Sequence, residues 1–582
     1  MAYERVPLED FKTAFGAQIE LSSVALGGRV TSVSDDFFAE AYHLLLVEPA
    51  PILKGQFGPK GALFSGWESR RHNPTYDWCI IKLGTPGNIT GFDVDTSHFS
   101  GNEAPEVSVE ALFVADGGAD PLSDDKKWTE ILPKVPLGPD SRHLFTVTAS
   151  SAVNYVKLNM YPDGGIARFR VYGAVSPVIP SDVHEEFDLA HVFSGGRVVF
   201  TSDQHFGVGS NLILPGRGKD MGDGWETKRS RQPGHKDWAI IELGGHGGHL
   251  SHVEIDTAHF KGNFPESCEL HAINSPGLVP PHHQGVSEMS ERPSWTTILS
   301  RTKLGPHRRH FFQLQNVNHA KYTHVMLTIH PDGGIKRVRI IGTQSTGMSP
   351  KSKVLAPSPG GMPTAGSTGG DSAVLGGGKV KTLHAVPLTP EAFAAFGQVV
   401  QGYGDLNAVP RNVRVTSANQ GLAYKFHKIS LLESSYPKDV QATTGLSVYR
   451  CQPIDAKAGG HWDIKILERH LHTNQAFIPM GPGSVNEGDE GLKETAKSYL
   501  VVVAQNGKDD KPDLEIMRAF IATSAQGIVY NTGIWHHPMA VLEKPLDLTC
   551  VETQIGDGGK LDCEIVDLDT AELVYRVNLP TL

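Results

Sequence analysis

Cysteine is scarce in this chain. Cys79, Cys268, Cys451, Cys550 and Cys563 are odd in number, scattered over 582 positions and free of Cys-x-x-Cys spacing. That excludes a disulfide scaffold and points to reduced, packing cysteines in an intracellular protein. Net positive charge is also missing: the formal charge is −11, which argues against nucleic acid or an anionic membrane as the main partner. No apolar run reaches membrane-spanning length, and MAYERVPLEDFKTAFGAQ carries acids where a signal peptide needs an apolar stretch. The terminal Pro580-Thr581-Leu582 is not a peroxisomal address. The expected location is the cytoplasm, with the peroxisome as the alternative. Runs of Ala, Leu and Glu long enough for central helices are absent too, so an all-helical fold is excluded.

What is present is a repeat. A hydrophobic fraction of 39% supports real cores, and the length fits about three domains. Residues 20 to 173 and 188 to 342 are two copies of one unit. LGGRVTSVSDDFF (26–38) answers SGGRVVFTSDQHF (194–206), and DVDTSHFSGNEAPE (93–106) answers EIDTAHFKGNFPE (254–266). LNMYPDGGIARFRVYG (158–173) answers LTIHPDGGIKRVRIIG (327–342). The most charged stretch, MGDGWETKRSRQPGHKDW (221–238), has its earlier copy in Gly66-Trp67-Glu68-Ser69-Arg70-Arg71. A charged, Gly-punctuated loop is ordinarily a solvated connection. Its recurrence weighs toward function.

Within each copy the runs are short, β-branched or aromatic and alternating, as in Tyr155-Val-Lys-Leu-Asn-Met, with Pro-Asp-Gly-Gly before the last strand. The expectation is mainly β: two tandem jelly-roll sandwiches, galactose-binding-like, over 1–180 and 181–345, with polar motifs on end loops. Residues 346–380 are Gly, Ser, Pro and Thr with little to bury, a flexible tether. From 381 to 582 a third domain begins with a capped short helix, Thr389-Pro390-Glu391 to Gly397. Strand-like runs then predict a mainly antiparallel barrel.

The doubled unit resembles the allantoicase family through SDQHFG (202–207), LPGRGKDMGDGWETKRSR (214–231), DTAHFKGNFPE (256–266) and HPDGGIKRVR (330–339). The third domain resembles ureidoglycolate lyases of cupin-related barrel form through ERHLHTNQAFIPMG (468–481), VVVAQNGKDDKPDLEIMRAFIA (501–522) and QGIVYNTGIWHHP (526–538). The resemblance implies consecutive reactions: allantoate and water give ureidoglycolate and urea, and ureidoglycolate gives glyoxylate and a second urea. The implied partners are these small molecules, in a homo-oligomer.

The chemistry then selects residues. A guanidinium holds a carboxylate bidentately, which makes Arg70, Arg71, Arg229 and Arg231 candidates for the allantoate carboxylate and Arg450 one for the second substrate. Expelling urea needs an acid and a base, roles suited to Glu226, Asp256 and His259 and to Glu68, Asp95 and His98. Asp256 and His259 converge only if Thr257-Ala258 bends. Trp67 and Trp225 read as core anchors. No cofactor is evident for this unit. In the lyase, His470, His472, Gln475 and His536 stand where a cupin places metal ligands, and His470, Gln475 and His536 are also the catalytic candidates. Imidazole and amide oxygen suit nickel, zinc or manganese. Gln475 departs from the pattern, since a carboxylate is usual there. His536 and His537 are neighbours, so a strand turns only one of them inward. A competing reading makes the sandwiches ligand-binding modules on a single lyase barrel, but binding modules expose aromatic platforms, whereas these loops gather Arg, Glu, Asp and His.

Overall fold

The computed structural model describes every residue except 1, 17, 116–120, 123–126, 279–294, 318–319, 346–378, 457–458, 484–489, 570–572 and 581–582. The tether expected over 346–380 lies outside the described residues except for 379 and 380, which open the strand Lys379–His384. The chain forms two compact units, Met1–Arg309 with Asn316–Gln344, and His310–Gln315 with Ser345–Leu582. Among the described residues no helix is long and apolar enough to cross a membrane.

The first sandwich is organised by one strand, Asp77–Asp95. Its apolar residues alternate inward through the middle and become continuous at the end, which is what a strand shared by two sheets requires. Its early part pairs with Ala152–Tyr161 and its late part with Arg142–Val147 and Arg168–Val175. Trp67, Phe92, Phe145 and Phe169 pack in the core between the layers. In the second copy the corresponding strand is cut in two, Asp237–Glu242 and Gly248–Asp256. The break falls at Gly244-Gly245-His246-Gly247, where a Cβ on Gly244 would lie 1.9 Å from the Ser194 carbonyl oxygen. Trp225 is fully buried, as Trp67 is, so both are core anchors.

The second unit is a barrel. Gly397–Val400, Gly527–Tyr530, Gln475–Pro479, Leu546–Gln554 and Thr443–Cys451 form one sheet in that order. Ser498–Ala504, Arg518–Thr523, Trp535–His536 and Ile466–Arg469 belong to the other large sheet. The expected helix is a single turn, Pro390–Phe393, capped by Thr389 and pinned by buried Phe393. The pairing is mainly antiparallel, with a parallel pair between Lys379–His384 and Leu573–Asn578.

Candidate active sites

In each sandwich the Trp-Glu dipeptide forms a two-residue strand against the Gly-Ile after the Pro-Asp-Gly-Gly turn, Glu68 opposite Gly165 and Glu226 opposite Gly334. The glycines are required here. Gly164 and Gly333 sit at φ 143° and 133°, and a Cβ on Gly165 or Gly334 would enter the ring of Phe99 or Phe260 at 2.1 or 1.9 Å. Trp67 and Trp225 anchor the dipeptide by donating Nε1–H to the carbonyl oxygens of Asp35 and Asp203, both at 2.8 Å.

That packing places the same four side chains together twice. Asn102 donates to Glu68 Oε1 at 3.0 Å and Asn263 to Glu226 Oε1 at 2.5 Å. Arg71 donates to Asp163 at 3.2 Å and lies 4.0 Å from Glu68, and Arg229 donates to Asp332 at 2.8 Å. Burial pushes the Glu68 carboxyl up, an effect that the Asn102 bond and the Arg71 charge offset only in part. Sequence reasoning missed Asn102, Asn263, Asp163 and Asp332. The Pro-Asp-Gly-Gly motif read as a turn alone, although its repeated Asp was the available signal.

Other candidates are placed elsewhere. Arg70 is folded back on Asp35, donating both its amide at 2.8 Å and Nε at 2.7 Å, while in the second copy the Asp203 carboxylate takes the Lys228 amide at 2.7 Å. Arg231 is exposed and makes no hydrogen bond or ion pair with the described residues. The bend after Asp95 and Asp256 exists: their carboxylates accept the amides of Ser97 and Ala258, each at 2.8 Å. It sets His98 and His259 at φ 69°. Their rings do not turn back to the aspartates, however. His98 Nε2 lies 2.9 Å from the Ala50 carbonyl oxygen, and the His259 ring lies edge-on to that of His307, with centroids 5.5 Å apart. Asp95 and Asp256 are turn anchors, and Asp256 is further clamped by the Arg217 fork at 2.7 and 2.8 Å.

The lyase site is built by alternation. Glu468 and His470 stand two apart, with Glu468 in register with His536 on the neighbouring strand. Ligand atoms of Glu468, His470 and His536 all lie within 4.8 Å of one another. His470 Nδ1 is 2.7 Å from the Asp562 carbonyl oxygen and His536 Nδ1 is 3.0 Å from that of Ile534. A carbonyl only accepts, so each Nδ1 carries the hydrogen and each Nε2 keeps a lone pair. Both Nε2 atoms are buried without a hydrogen-bond partner, and so is Gln475 Oε1. Burial, reinforced by the neighbouring His536, holds His470 below its ordinary value. The His536 ring stacks on Tyr530 at 4.0 Å. Gln475 donates Nε2–H to Glu552 at 2.8 Å. A cavity of about 390 Å³ opens beside them, lined by Tyr449, Cys451, Glu468, His470, Gln475 and Glu552 among others.

Two expected lyase residues fall outside this cavity. His472 follows the end of the strand and packs on Tyr436 at 5.0 Å. The inward pair at spacing two is therefore Glu468 and His470, one step earlier than His470-x-His472. Arg450 sits between inward Tyr449 and Cys451, points outward and is held bidentately by Asp547 at 2.9 Å. His537 points away from the cavity, its ring against Trp462. Lys511 is exposed at a hairpin tip that Arg469 fastens through Asp510 at 2.8 Å. Glu468 was missed although Glu-Arg-His carries the two-residue spacing.

Comparison with known proteins gives the allantoicase repeat family at residues 19–176 and again at 187–345, and the ureidoglycolate lyase family at 380–574. A probable allantoicase of Schizosaccharomyces pombe is 50% identical over 351 residues, 59% of this chain and 98% of that protein. The allantoicase of Saccharomyces cerevisiae is 44% identical over 331 residues, 56% of this chain and 93% of its own length. A crystal structure of Saccharomyces cerevisiae allantoicase covers 59% of this chain at 40% identity, with a TM-score of 0.50 and all of its own chain matched.

Proposed function

This chain belongs to the allantoicase family and continues into a ureidoglycolate lyase domain, and from that premise we propose how its residues divide the work. The protein is a bifunctional enzyme of allantoin degradation. The first unit takes allantoate and water to ureidoglycolate and urea, and the second takes ureidoglycolate to glyoxylate and urea.

For the first step, Glu68 delivers the proton to the leaving urea nitrogen. It is a buried acid whose carboxyl is raised, held in one orientation by Asn102. Arg71 beside it, and Arg229 or Arg231 in the second copy, are the guanidinium groups available to the substrate carboxylate.

For the second step, the observation that carries the reading is the pair of buried imidazole lone pairs beside Glu468 at the edge of the cavity. Ureidoglycolate is a carbinolamine. Glu468 takes the hydroxyl proton on one carboxylate oxygen while the carbon–nitrogen bond breaks and the carbonyl forms. Glu468, whose Oε1 is 3.6 Å from His536 Nε2, passes that proton to the departing urea nitrogen, so no water is consumed. The donor set of two imidazoles, a carboxylate and the free Gln475 oxygen fits a divalent nickel, zinc or manganese ion held by His470, His536 and Glu468. Among the described residues that line the cavity there is no lysine or arginine; such an ion would supply the positive charge facing the substrate carboxylate and polarise the hydroxyl.

The direct test feeds allantoate to the purified chain and follows both products. Urea at about twice the glyoxylate supports both steps, and no urea above blank in any metal condition ends the reading. His536→Ala should cut glyoxylate release roughly a hundredfold or more and spare the first urea, whereas His537→Ala should do far less. Chelation followed by return of zinc, nickel or manganese should remove and restore only the glyoxylate. We further take the chain to act as a homo-oligomer.

A further inference from the structure

One buried carboxylate of the lyase cavity has no part in either proton transfer. On Leu546–Gln554 alternation turns Leu546, Leu548 and Cys550 into the apolar core, and Glu552 is the next residue of that face. Glu552 is 6% exposed and lines the cavity. Among the described residues it is not one of the three groups that could close on an ion, which are Glu468, His470 and His536. A carboxylate taken out of water is costly unless a cation or several donors meet it, and among the described lining residues there is no lysine or arginine. What holds Glu552 is neutral. Gln475 Nε2–H donates to its Oε2 at 2.8 Å. Burial and the Glu552 charge push the Cys550 thiol up, so it stays protonated and serves as a weak donor to the same group. Since a carboxylate only accepts, the Gln475 amide must turn its nitrogen toward Glu552. Its Oε1 is left buried without a partner. Two acceptors therefore stand together with no donor to spare.

We propose that Glu552, oriented by Gln475, recognises the ureido end of the second substrate, an inference that rests on the lyase reading above. A ureido group is flat and rich in donors. Its inner nitrogen and its terminal NH2 each point one hydrogen along the same edge, a pair that matches the two oxygens of a carboxylate as the fork of an arginine does. Gln475 is the positioning residue, because its Nε2–H fixes the plane of that carboxylate. Gln475 Oε1, the unpaired end of the same amide, is a further acceptor for the terminal NH2. Glu552 also repels the substrate's own carboxylate, so ureidoglycolate enters one way round. Holding the N–H edge fixes the plane of the departing urea and with it the face on which the nitrogen takes its proton. A 2-hydroxy acid without N–H donors would leave Glu552 buried with nothing to accept, and is rejected for that reason.

The test uses the full chain and supplies ureidoglycolate directly, so that glyoxylate release reads the lyase domain alone. Two unreactive probes differ at one group: N-carbamoylglycine carries the ureido group, and N-acetylglycine has a methyl in place of the terminal NH2. Against the wild type, N-carbamoylglycine should inhibit about tenfold more tightly or better. Glu552→Gln, nearly isosteric, turns one acceptor into a donor. The KM for ureidoglycolate and the inhibition constant of N-carbamoylglycine should then both rise about tenfold or more. Oxalate has no N–H, so its inhibition should stay within about twofold or tighten as a negative charge leaves. The allantoate step, distant from this change, should stay within about twofold. Gln475→Leu should raise the same two constants by less, and wild-type constants there would overturn its positioning role. Equal inhibition by the two glycine derivatives overturns the proposal, and that comparison decides alone if Glu552→Gln fails to fold. Wild-type constants in Glu552→Gln overturn it as well, as does loss of oxalate and N-carbamoylglycine together, the mark of a collapsed cavity. A wild type that releases no glyoxylate from ureidoglycolate would sink the lyase reading. Equilibrium dialysis of N-carbamoylglycine against wild type and Glu552→Gln would still decide the recognition, because whatever the first unit binds is the same in both.

Discussion

The two sandwich copies keep one scaffold and spend their charge differently. In both, a tryptophan Nε1–H ties the Trp-Glu strand to an aspartate carbonyl, an asparagine holds the glutamate, and the Pro-Asp-Gly-Gly aspartate holds an arginine. The differences lie beside that frame. Glu68 is buried, whereas Glu226 is half-buried. Asp256 is clamped by Arg217, whereas among the described residues the Asp95 carboxylate takes the Ser97 amide and no arginine fork. Lys336 is fully buried where the first copy has Ala167. Burial and the neighbouring Arg337 push Lys336 down to about 8, and it holds Asp220 and Asp223 in the loop that Arg217 belongs to. Arg168 in the first copy satisfies itself on the carbonyls of Glu48, Ser65 and Ala167, while Arg337 keeps a buried Nε without a partner. Duplication preserved what the backbone needs, the turns and the tryptophan anchors. It left the electrostatics free to diverge, the first copy toward a buried acid and the second toward a cationic loop clamp.

The sharpest way to break this comparison is to remove each acid in turn. Glu68→Gln keeps the Asn102 contact but has no proton to give, so allantoate turnover should fall roughly a hundredfold or more. Glu226→Gln should cost less than about tenfold if the second copy holds substrate rather than protonating it. Initial rates of urea release from allantoate measure both. Equal losses would mean that the copies are two equivalent sites, and the reverse order would exchange their roles.

The clamp gives a stability contrast. Asp256→Asn leaves the Arg217 fork without its counter-charge beside Arg337. Since Arg217 is partly exposed, the cost is about 2 kcal/mol, below the range for a fully buried pair. Asp95→Asn should cost about 1 kcal/mol, the worth of weakening one bond to an amide. Denaturant midpoints for the first unit's transition in the full chain would measure the gap, and equal shifts would remove Arg217 from the argument. A smaller effect is expected at Arg229, which reaches Asp332 through Nη1 at 2.8 Å. Arg229→Lys keeps charge and loses the fork, so the KM for allantoate should rise about three- to tenfold with little change in kcat. An unchanged KM would leave Arg231 or Arg71 as the anchor.

Much of this was legible in the chain because the repeat exposes itself. The mainly β architecture follows from alternation in runs such as Tyr155-Val-Lys-Leu-Asn-Met, and burial of Trp67 and Trp225 follows from their place beside glycines that tolerate no Cβ. The lyase strands Gly527–Tyr530 and Gln475–Pro479 were recognisable from their β-branched and aromatic content. What was not legible depended on direction and distance. His470-x-His472 and Glu468-x-His470 have the same spacing, and only the register of Glu468 with His536, which gathers His470 with them, decides which pair meets at the site. Arg450 carries the right charge, but strand parity turns it outward to Asp547. Asp163 and Asp332 looked like turn residues because their partners, Arg71 and Arg229, are about a hundred positions away in sequence.

The smallest effect sharpens the contrast in burial between the two glutamates. Glu68 sits in the folded protein with its carboxyl raised, since burial outweighs the help that the charged form gets from Asn102 and Arg71. A raised carboxyl means that the folded state binds the proton more tightly than the unfolded chain does. The contribution to stability is therefore fully present below the unfolded value, about 4.3, and is lost as pH rises from there through the folded value. Glu68→Gln has no such titration. The wild type should thus be at its best relative to Glu68→Gln in acid, and the difference between their denaturation midpoints should move against the wild type as pH climbs, then level off. Because every other acid titrates in both proteins, the difference isolates this carboxyl. Breaking the Arg71 contact should steepen the trend, since Arg71→Ala removes a positive charge 4.0 Å away that favours the ionised form. A midpoint difference that stays flat across the acid range, or that moves in favour of the wild type as pH rises, would mean that Glu68 is held ionised, and the role of proton donor in the first step would have to pass to another residue.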